Sequence, residues 1–176
     1  EDKLHGIEVI NGFHLHQKSL DWALEHDLAI LGTSDVHNLI AHDYDMEKGV
    51  TRSMSLLFVK ERSLEGIREA LDARRSVAWS TKILAGSEKW IRALYDASVS
   101  VGEVYSTDNR GYSYATIRND SSLYFELQRV DPKQGSWPAT ITLNPGTSQV
   151  LKAKPSPKSN SARYTVKTAY IGGYEN

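Results

Sequence analysis

Cysteine is absent from the 176 residues, so the chain has neither disulfides nor thiolate metal sites; this absence says nothing about compartment. Charge of one sign is missing too. The 21 Lys and Arg stand against 22 Asp and Glu, a formal net charge of −1, which leaves no field to draw in nucleic acid or an acidic membrane. No apolar run approaches the ~20 residues that span a bilayer, and no signal pattern is read at the start. Nucleic-acid and membrane partners are therefore not expected. The chain opens at Glu1-Asp2-Lys3 with no initiator methionine, and we expect a fragment or a processed product. What is present is globular: 40% apolar and 24% charged residues suit one or two folded domains.

Composition shifts near Val101, and the expected architecture is α/β followed by all-β, with domains at 1–100 and 101–176. In the first part, Gly6–Asn11 reads as a strand ending in an Asn-Gly turn. Gln17–Asp27 reads as a helix with Leu20, Ala23 and Leu24 on one face, and Leu28–Leu31 as a strand;. Strand–helix–strand order predicts a right-handed parallel crossover, which puts Asn11 and Asp35 at the same sheet edge. A polar loop, 38–51, precedes a strand at Ser53–Val59 and a helix capped by Ser63, with Leu64, Ile67, Ala70 and Leu71 facing the core;. A strand at Ser76–Trp79 and a helix after Ser87 with Trp90, Ile91, Leu94 and Tyr95 inward complete it. Beyond Val101, Ser, Thr, Tyr, Pro and Asn dominate. Strands around 112–116, 123–127, 139–143, 149–153 and 163–171 predict a small immunoglobulin-like antiparallel sandwich;.

The stretch Leu28-Ala-Ile-Leu-Gly-Thr-Ser-Asp35-Val-His37 carries the clearest chemistry. A short apolar strand runs into a small-residue turn that offers a carboxylate and an imidazole two positions apart. Strand ends of this kind hold catalytic groups in α/β proteins. In extended backbone, residues i and i+2 point the same way, so Asp35 and His37 are expected to converge on one Mn, Fe or Zn ion. The competing reading is a turn aspartate beside an exposed histidine. Two donors also fall short of the three or four that an ion needs. His14-Leu15-His16 is a second metal-type pair, set where a helix must begin and beside the solvated Gln17-Lys18. Glu8 interrupts an apolar strand, which a carboxylate does either by facing outward or by being paired. His42, Asp43 and Asp45 lie in the loop after the turn, to line a mouth or to restrain the loop by side-chain bonds. Arg52 ends that loop and presents a fork suited to phosphate oxygens, though a lone arginine is equally a surface charge. Arg74-Arg75 suits the negative end of the preceding helix. The aromatics of the C-terminal part suit core packing better than sugar stacking.

The runs Gly6-Ile-Glu-Val-Ile-Asn-Gly12, Trp22-Ala-Leu24 and Gly32-Thr-Ser-Asp-Val-His37 resemble the C-terminal half of the PHP (polymerase and histidinol phosphatase) superfamily. Asp43-Tyr-Asp45, Lys48-Gly49, Arg52-Ser-Met54, Phe58–Arg62 and Ala70–Trp79 are similar to its phosphodiesterase branch with a small C-terminal β-domain. The resemblance implies the last strands and helices of a distorted (β/α)7 barrel, with a multinuclear centre of Mn, Fe or Zn that hydrolyses phosphate esters. By position, Asp35 and His37 match the last metal-ligand motif, and Glu8 and Asn11 match a strand beside the site, where they would support the ligands. The family's other ligands precede residue 1, and His14 and His16 do not align with them. The site in this chain is therefore expected to be incomplete, no catalytic residue is assigned, and the chain alone is expected to be inactive. Its expected partners are a small phosphate-ester substrate and either the missing N-terminal half of the barrel or a second copy. Relatives of this branch often carry export signals, so a periplasmic or surface location is compatible with the resemblance, while the sequence itself assigns no compartment. The competing function is a non-catalytic module whose sandwich binds carbohydrate or protein.

Overall fold

The computed structural model describes residues 4–131, 136–155 and 161–172. The chain forms two compact units. One holds the residues up to Ala93 together with those from Ala169 on, and the other holds Leu94–Thr168.

The first unit begins with strands β1 (Gly6–Asn11) and β2 (His14–Leu15), helix α1 (Gln17–Glu25) and strand β3 (Ala29–Thr33). β1 pairs parallel with β3 and antiparallel with β2, giving the sheet order β2-β1-β3. The expected crossover is thus present, with the hairpin β1–β2 added to it. Val9, Ile10, Leu20, Ala23, Leu28 and Ile30 form the buried core, joined by Ala78 and Ala85 from the next sheet. That sheet is built from β4 (Met54–Leu57), β5 (Ser76–Ser80) and β6 (Ile83–Gly86), with helix α2 (Ile40–Asp43) before β4 and helix α3 (Leu64–Asp72) between β4 and β5. β6 was not expected. The turn joining it to β5 is only Thr81-Lys82, with Thr81 at φ +36°, so none of the usual Asn-Gly or Asp-Gly hairpin chemistry marks it;. Among the described residues the two sheets do not close into a barrel.

The edge of β3 is held by hydroxyls. Ser76 Oγ accepts from the Ile30 amide at 2.8 Å. Ser55 Oγ accepts from the Gly32 amide at 2.9 Å and donates to the Gly32 carbonyl at 3.1 Å. These bonds satisfy main-chain groups that no strand pairs.

Helix α3 differs from expectation. Ser63 caps it by accepting from the Gly66 amide at 2.9 Å, as its sequence predicts. Yet Leu64 and Ile67 are exposed, and the face turned inward carries Gly66 and Ala70. Gly66 lies so close to the Glu61 carbonyl that any side chain would collide with it. Small residues set this packing, so the larger apolar ones are left on the outer face. Both α1 and α3 end on a left-handed residue other than glycine, Asp27 (φ +52°) and Arg74 (φ +57°). The amides of Leu28 and Arg75 reach back to Ala23 and Ala70 at 2.8 Å, the Schellman arrangement;. The Arg74 guanidinium donates to the carbonyls of Leu71 and Asp72, as its place at the helix end predicts. Arg75 instead forms a fork onto Glu69 and donates through Nε to the Phe58 carbonyl at 2.8 Å.

Helix α4 (Glu88–Ser98) leads into the second unit, whose strands are β7 (Val99–Val101), β8 (Ser106–Thr107), β9 (Ser113–Asn119), β10 (Phe125–Arg129), β11 (Thr140–Leu143), β12 (Ser148–Ala153) and β13 (Tyr164–Val166). They form two antiparallel sheets, β12-β9-β7 with β8 also on β9, and β11-β10-β13. Two antiparallel sheets are consistent with the predicted sandwich. Alternation places Ala115, Ile117, Leu123, Phe125, Leu127, Ile141 and Leu143 inside, where Tyr95 meets Phe125 edge to face at 5.3 Å between centroids;. Tyr112 and Tyr114 lie under the Lys152 ammonium, 4.4 and 5.5 Å from the ring centres. The Asp108 carboxylate accepts from the Tyr112 and Arg110 amides and from the Tyr114 hydroxyl. These bonds, the Tyr112 amide foremost, hold its pKa below the ordinary carboxylate value. The sequence segment 163–171 reads as one strand but is two. After Val166 the chain turns, and β14 (Ala169–Tyr170) pairs parallel with β6 of the first unit.

Asn119 is fully buried and fully bonded. Its amide donates to the carbonyls of Leu123 at 2.7 Å, Asn144 at 3.1 Å and Leu143 at 3.4 Å, while its Oδ1 accepts from the Ser121 amide and hydroxyl. Asn119→Ala strands those carbonyls without water, and urea unfolding should show a loss of about 1–3 kcal/mol. Glu69 gives a pH signature. The side-chain bond from Arg75, with help from Lys60 at 3.0 Å, lowers its pKa from 4.5 to about 2. A carboxylate with a depressed folded pKa stabilises the fold above its unfolded value and loses that contribution as pH falls. Stability should therefore drop between about pH 4.5 and pH 2, and Glu69→Gln should flatten this part of the thermal-midpoint profile.

Candidate metal-ligand pair at the strand ends

The site grows out of the C-terminal ends of β1 and β3. Their pairing runs in register from Gly6 with Ala29 to Glu8 with Leu31, then shifts, and resumes with Ile10 opposite Gly32 and Asn11 opposite Thr33. Val9 is the extra residue of a bulge. Without the bulge, residues i and i+3 of a strand face opposite ways. With it, Val9 and Ile10 are both fully buried, and Glu8 and Asn11 meet on one side, Asn11 Nδ2 donating to Glu8 Oε1 at 3.1 Å. The Thr33 hydroxyl donates to the other Glu8 oxygen. Glu8 is thus exposed and paired, and it ties the end of β3 to the end of β1. Thr33 was not among the residues singled out from the sequence; only the strand register brings it to Glu8.

Asp35 and His37 lie just past β3. Their side chains do converge, with His37 Nε2 3.3 Å from Asp35 Oδ1, and they are 53% and 82% exposed. The reason is not the extended backbone that the i, i+2 argument assumed. Asp35 has φ +52°, in the left-handed region, and the chain bends at His37 and Asn38. Aspartate tolerates that conformation better than most residues. The preceding carbonyls are held: Thr33 O accepts from the Gly12 amide at 3.0 Å, and Ser34 O accepts from the Tyr44 hydroxyl at 2.8 Å. Gly12 itself turns at φ +55°, and its carbonyl accepts from Ser53 Oγ.

The pair fits a shared divalent ion. An oxygen and a nitrogen each about 2.1 Å from one ion stand roughly 3.0 Å apart in octahedral and roughly 3.4 Å apart in tetrahedral geometry, and the observed separation of 3.3 Å lies within that range. It is a pair and no more: among the described residues, no group of three or more His, Asp or Glu is placed to hold an ion.

The other candidates are dispersed. His14 is exposed on β2 opposite Asn11, and His16 is the exposed residue before α1, with its amide bonded to the Val9 carbonyl at 2.8 Å. Asp45 restrains its loop by accepting from the Lys48 amide at 3.2 Å and pairing with Lys48 Nζ at 2.7 Å, at the start of a 3-10 turn over Met46–Lys48. His42 and Asp43 are exposed on α2. Arg52 is exposed just before β4, and no hydrogen bond joins it to Glu8, Asn11, Asp35 or His37 among the described residues.

Residues 99–176 match a family model described as an Ig-like domain. The whole chain is similar to a solved structure, a two-domain protein containing a predicted PHP-like metal-dependent phosphoesterase from Bacteroides vulgatus ATCC 8482. The two are 34% identical with a TM-score of 0.85, and the likeness covers 96% of this chain and 49% of that one. The chain thus spans about half the length of the structure it matches, which fits a C-terminal half ending in an Ig-like domain. No curated protein matches.

Gly32 sits in the strand that delivers the pair, where a Cβ would stand 2.8 Å from the Met54 carbonyl and 3.2 Å from Ala78 Cβ. Gly32→Ala should destabilise the first unit by about 1–3 kcal/mol in chemical unfolding, since the contact is with backbone and cannot swing away.

Proposed function

We propose that this chain supplies the C-terminal part of a PHP-type metal-dependent phosphoesterase, of the phosphodiesterase branch, in which Asp35 and His37 are two of the ligands to a divalent ion such as Mn, Fe or Zn. The observation that carries the reading is the 3.3 Å convergence of the two side chains at the end of a parallel strand, and the likeness to the Bacteroides structure supports it. When bound, such an ion supplies Lewis-acid polarisation of a phosphoryl oxygen and acidifies a water. The chain's own residues bind and orient. Asp35 and His37 offer one oxygen and one nitrogen. Glu8, tied to Asn11 and Thr33, keeps the two strand ends together under them. Arg52 offers its guanidinium to the substrate's phosphate oxygens.

In this reading residues 1–100 belong to a distorted (β/α)7 barrel and 101–176 to an attached β-domain, from which Ala169–Tyr170 return to pair with β6 of the first unit. The remaining ligands come from the preceding half of the barrel or from a second copy. The chain alone is then inactive.

The test is Asp35→Asn in the full-length protein. Asparagine keeps the left-handed turn and removes the charge. Manganese-dependent hydrolysis of bis-p-nitrophenyl phosphate should fall by more than the roughly 10–100-fold that loss of an outer partner costs. Undiminished hydrolysis in this variant, or turnover by the 176-residue chain alone, would refute the assignment.

A further inference from the structure

We propose that Tyr44 is the positioning residue of the Asp35–His37 pair: its buried hydroxyl holds the Ser34 carbonyl and so fixes the left-handed turn that aims the two donors at one point. This rests on the metal reading above. Tyr44 is only 1% exposed, the largest fully buried side chain among the described residues, although it belongs to a loop whose other members from Asn38 to Gly49 are exposed, Ile40 alone excepted. A buried phenol needs a partner for its hydroxyl, and here the partner is Ser34 O at 2.8 Å. Its ring lies against Phe13 at 4.7 Å between centroids. Phe13 follows Gly12, whose amide holds the Thr33 carbonyl.

Two successive carbonyls are therefore gripped from outside the strand, one by a main-chain amide and one by Tyr44. The next residue, Asp35, adopts the conformation that L-residues seldom take;. Removing the phenol oxygen alone would free the second grip and let Asp35 return to a commoner conformation, which parts its carboxylate from the imidazole. The loop delivers Tyr44 rigidly: its amide bonds to the Ile40 carbonyl at 2.9 Å, and the Val50 amide bonds to Asp45 O at 3.1 Å. The loop thus acts on the pair through one hydroxyl, and none of its own acidic groups is needed.

The experiment compares the 176-residue chain with Tyr44→Phe by NMR. Without metal, the heteronuclear NOE of the Val36 and His37 amides should fall in the variant while the thermal midpoint moves little. With Mn2+ alone, the concentration that half-broadens the His37 ring signals should rise about 10-fold, the size expected for loss of an outer partner. Phe13→Ala, at a half-exposed and therefore tolerant position, loosens the same ring and should move both readouts in the same direction even if Tyr44→Phe folds poorly. Unchanged NOE values in both variants would overturn the proposal and leave Tyr44 a packing residue. If Mn2+ fails to broaden His37 selectively in the unaltered chain, the two donors alone do not hold the ion, as an incomplete site requires, and the metal-free NOE by itself decides whether Tyr44 holds the turn.

Discussion

Parallel pairing between β1 and β3, interrupted by one extra residue, is the constraint on which the rest of the first unit depends. Parallel strands need a crossover between them, and α1 supplies it while burying Leu20 and Ala23 on the sheet. The crossover brings two distant stretches of chain to one edge. The bulge at Val9 then does two things together. It sends two consecutive apolar residues into the core, and it brings Glu8 round to Asn11 and Thr33. Core and site are thus set by the same irregularity.

The site is exposed while its foundations are not. Asp35 and His37 stand in solvent, but the carbonyls before them are fastened to Gly12 and to a buried phenol. Behind β3, the hydroxyls of Ser55 and Ser76 occupy main-chain groups that another strand would otherwise claim. Rigidity comes from the strand ends and the loop, and it leaves the polar heads of the pair free to meet a ligand. Pre-organisation of this kind is what the proposed metal-binding role of the pair requires.

Much of the framework was legible in the chain. The 3.6-residue spacing of Leu20, Ala23 and Leu24 marked α1, Ser63 marked the start of α3, and alternation marked β9 to β12. What escaped has a common cause, since it depends on partners remote in sequence. A bulge leaves no local sign, so Glu8 read as either outward or paired, and Thr33 did not stand out at all. The turn at Thr81 uses a β-branched residue at positive φ, against every local preference;, which hid β6. The periodicity of α3 promised burial for Leu64 and Ile67, but the close approach of Gly66 to Glu61 rotated the helix onto its small residues. Asp-x-His itself was visible, and its two side chains do meet. The left-handed backbone that makes them meet was not visible, because it is imposed by Tyr44 and Gly12.

Alternation through Tyr164, Val166, Thr168 and Tyr170 hid one more event, the departure of the chain from one sheet to join another as β14. The second unit is for that reason spliced into the first by two junctions, one at α4 and one after Val166. A cut of the polypeptide after Thr168 leaves the covalent link through α4 intact, whereas a cut at α4 leaves the residues up to Ala93 joined to the rest through the pairing of Ala169–Tyr170 with Leu84 and Ala85. Exchange of this β-domain between relatives would correspondingly demand two crossover points, the second of them sparing a two-residue strand.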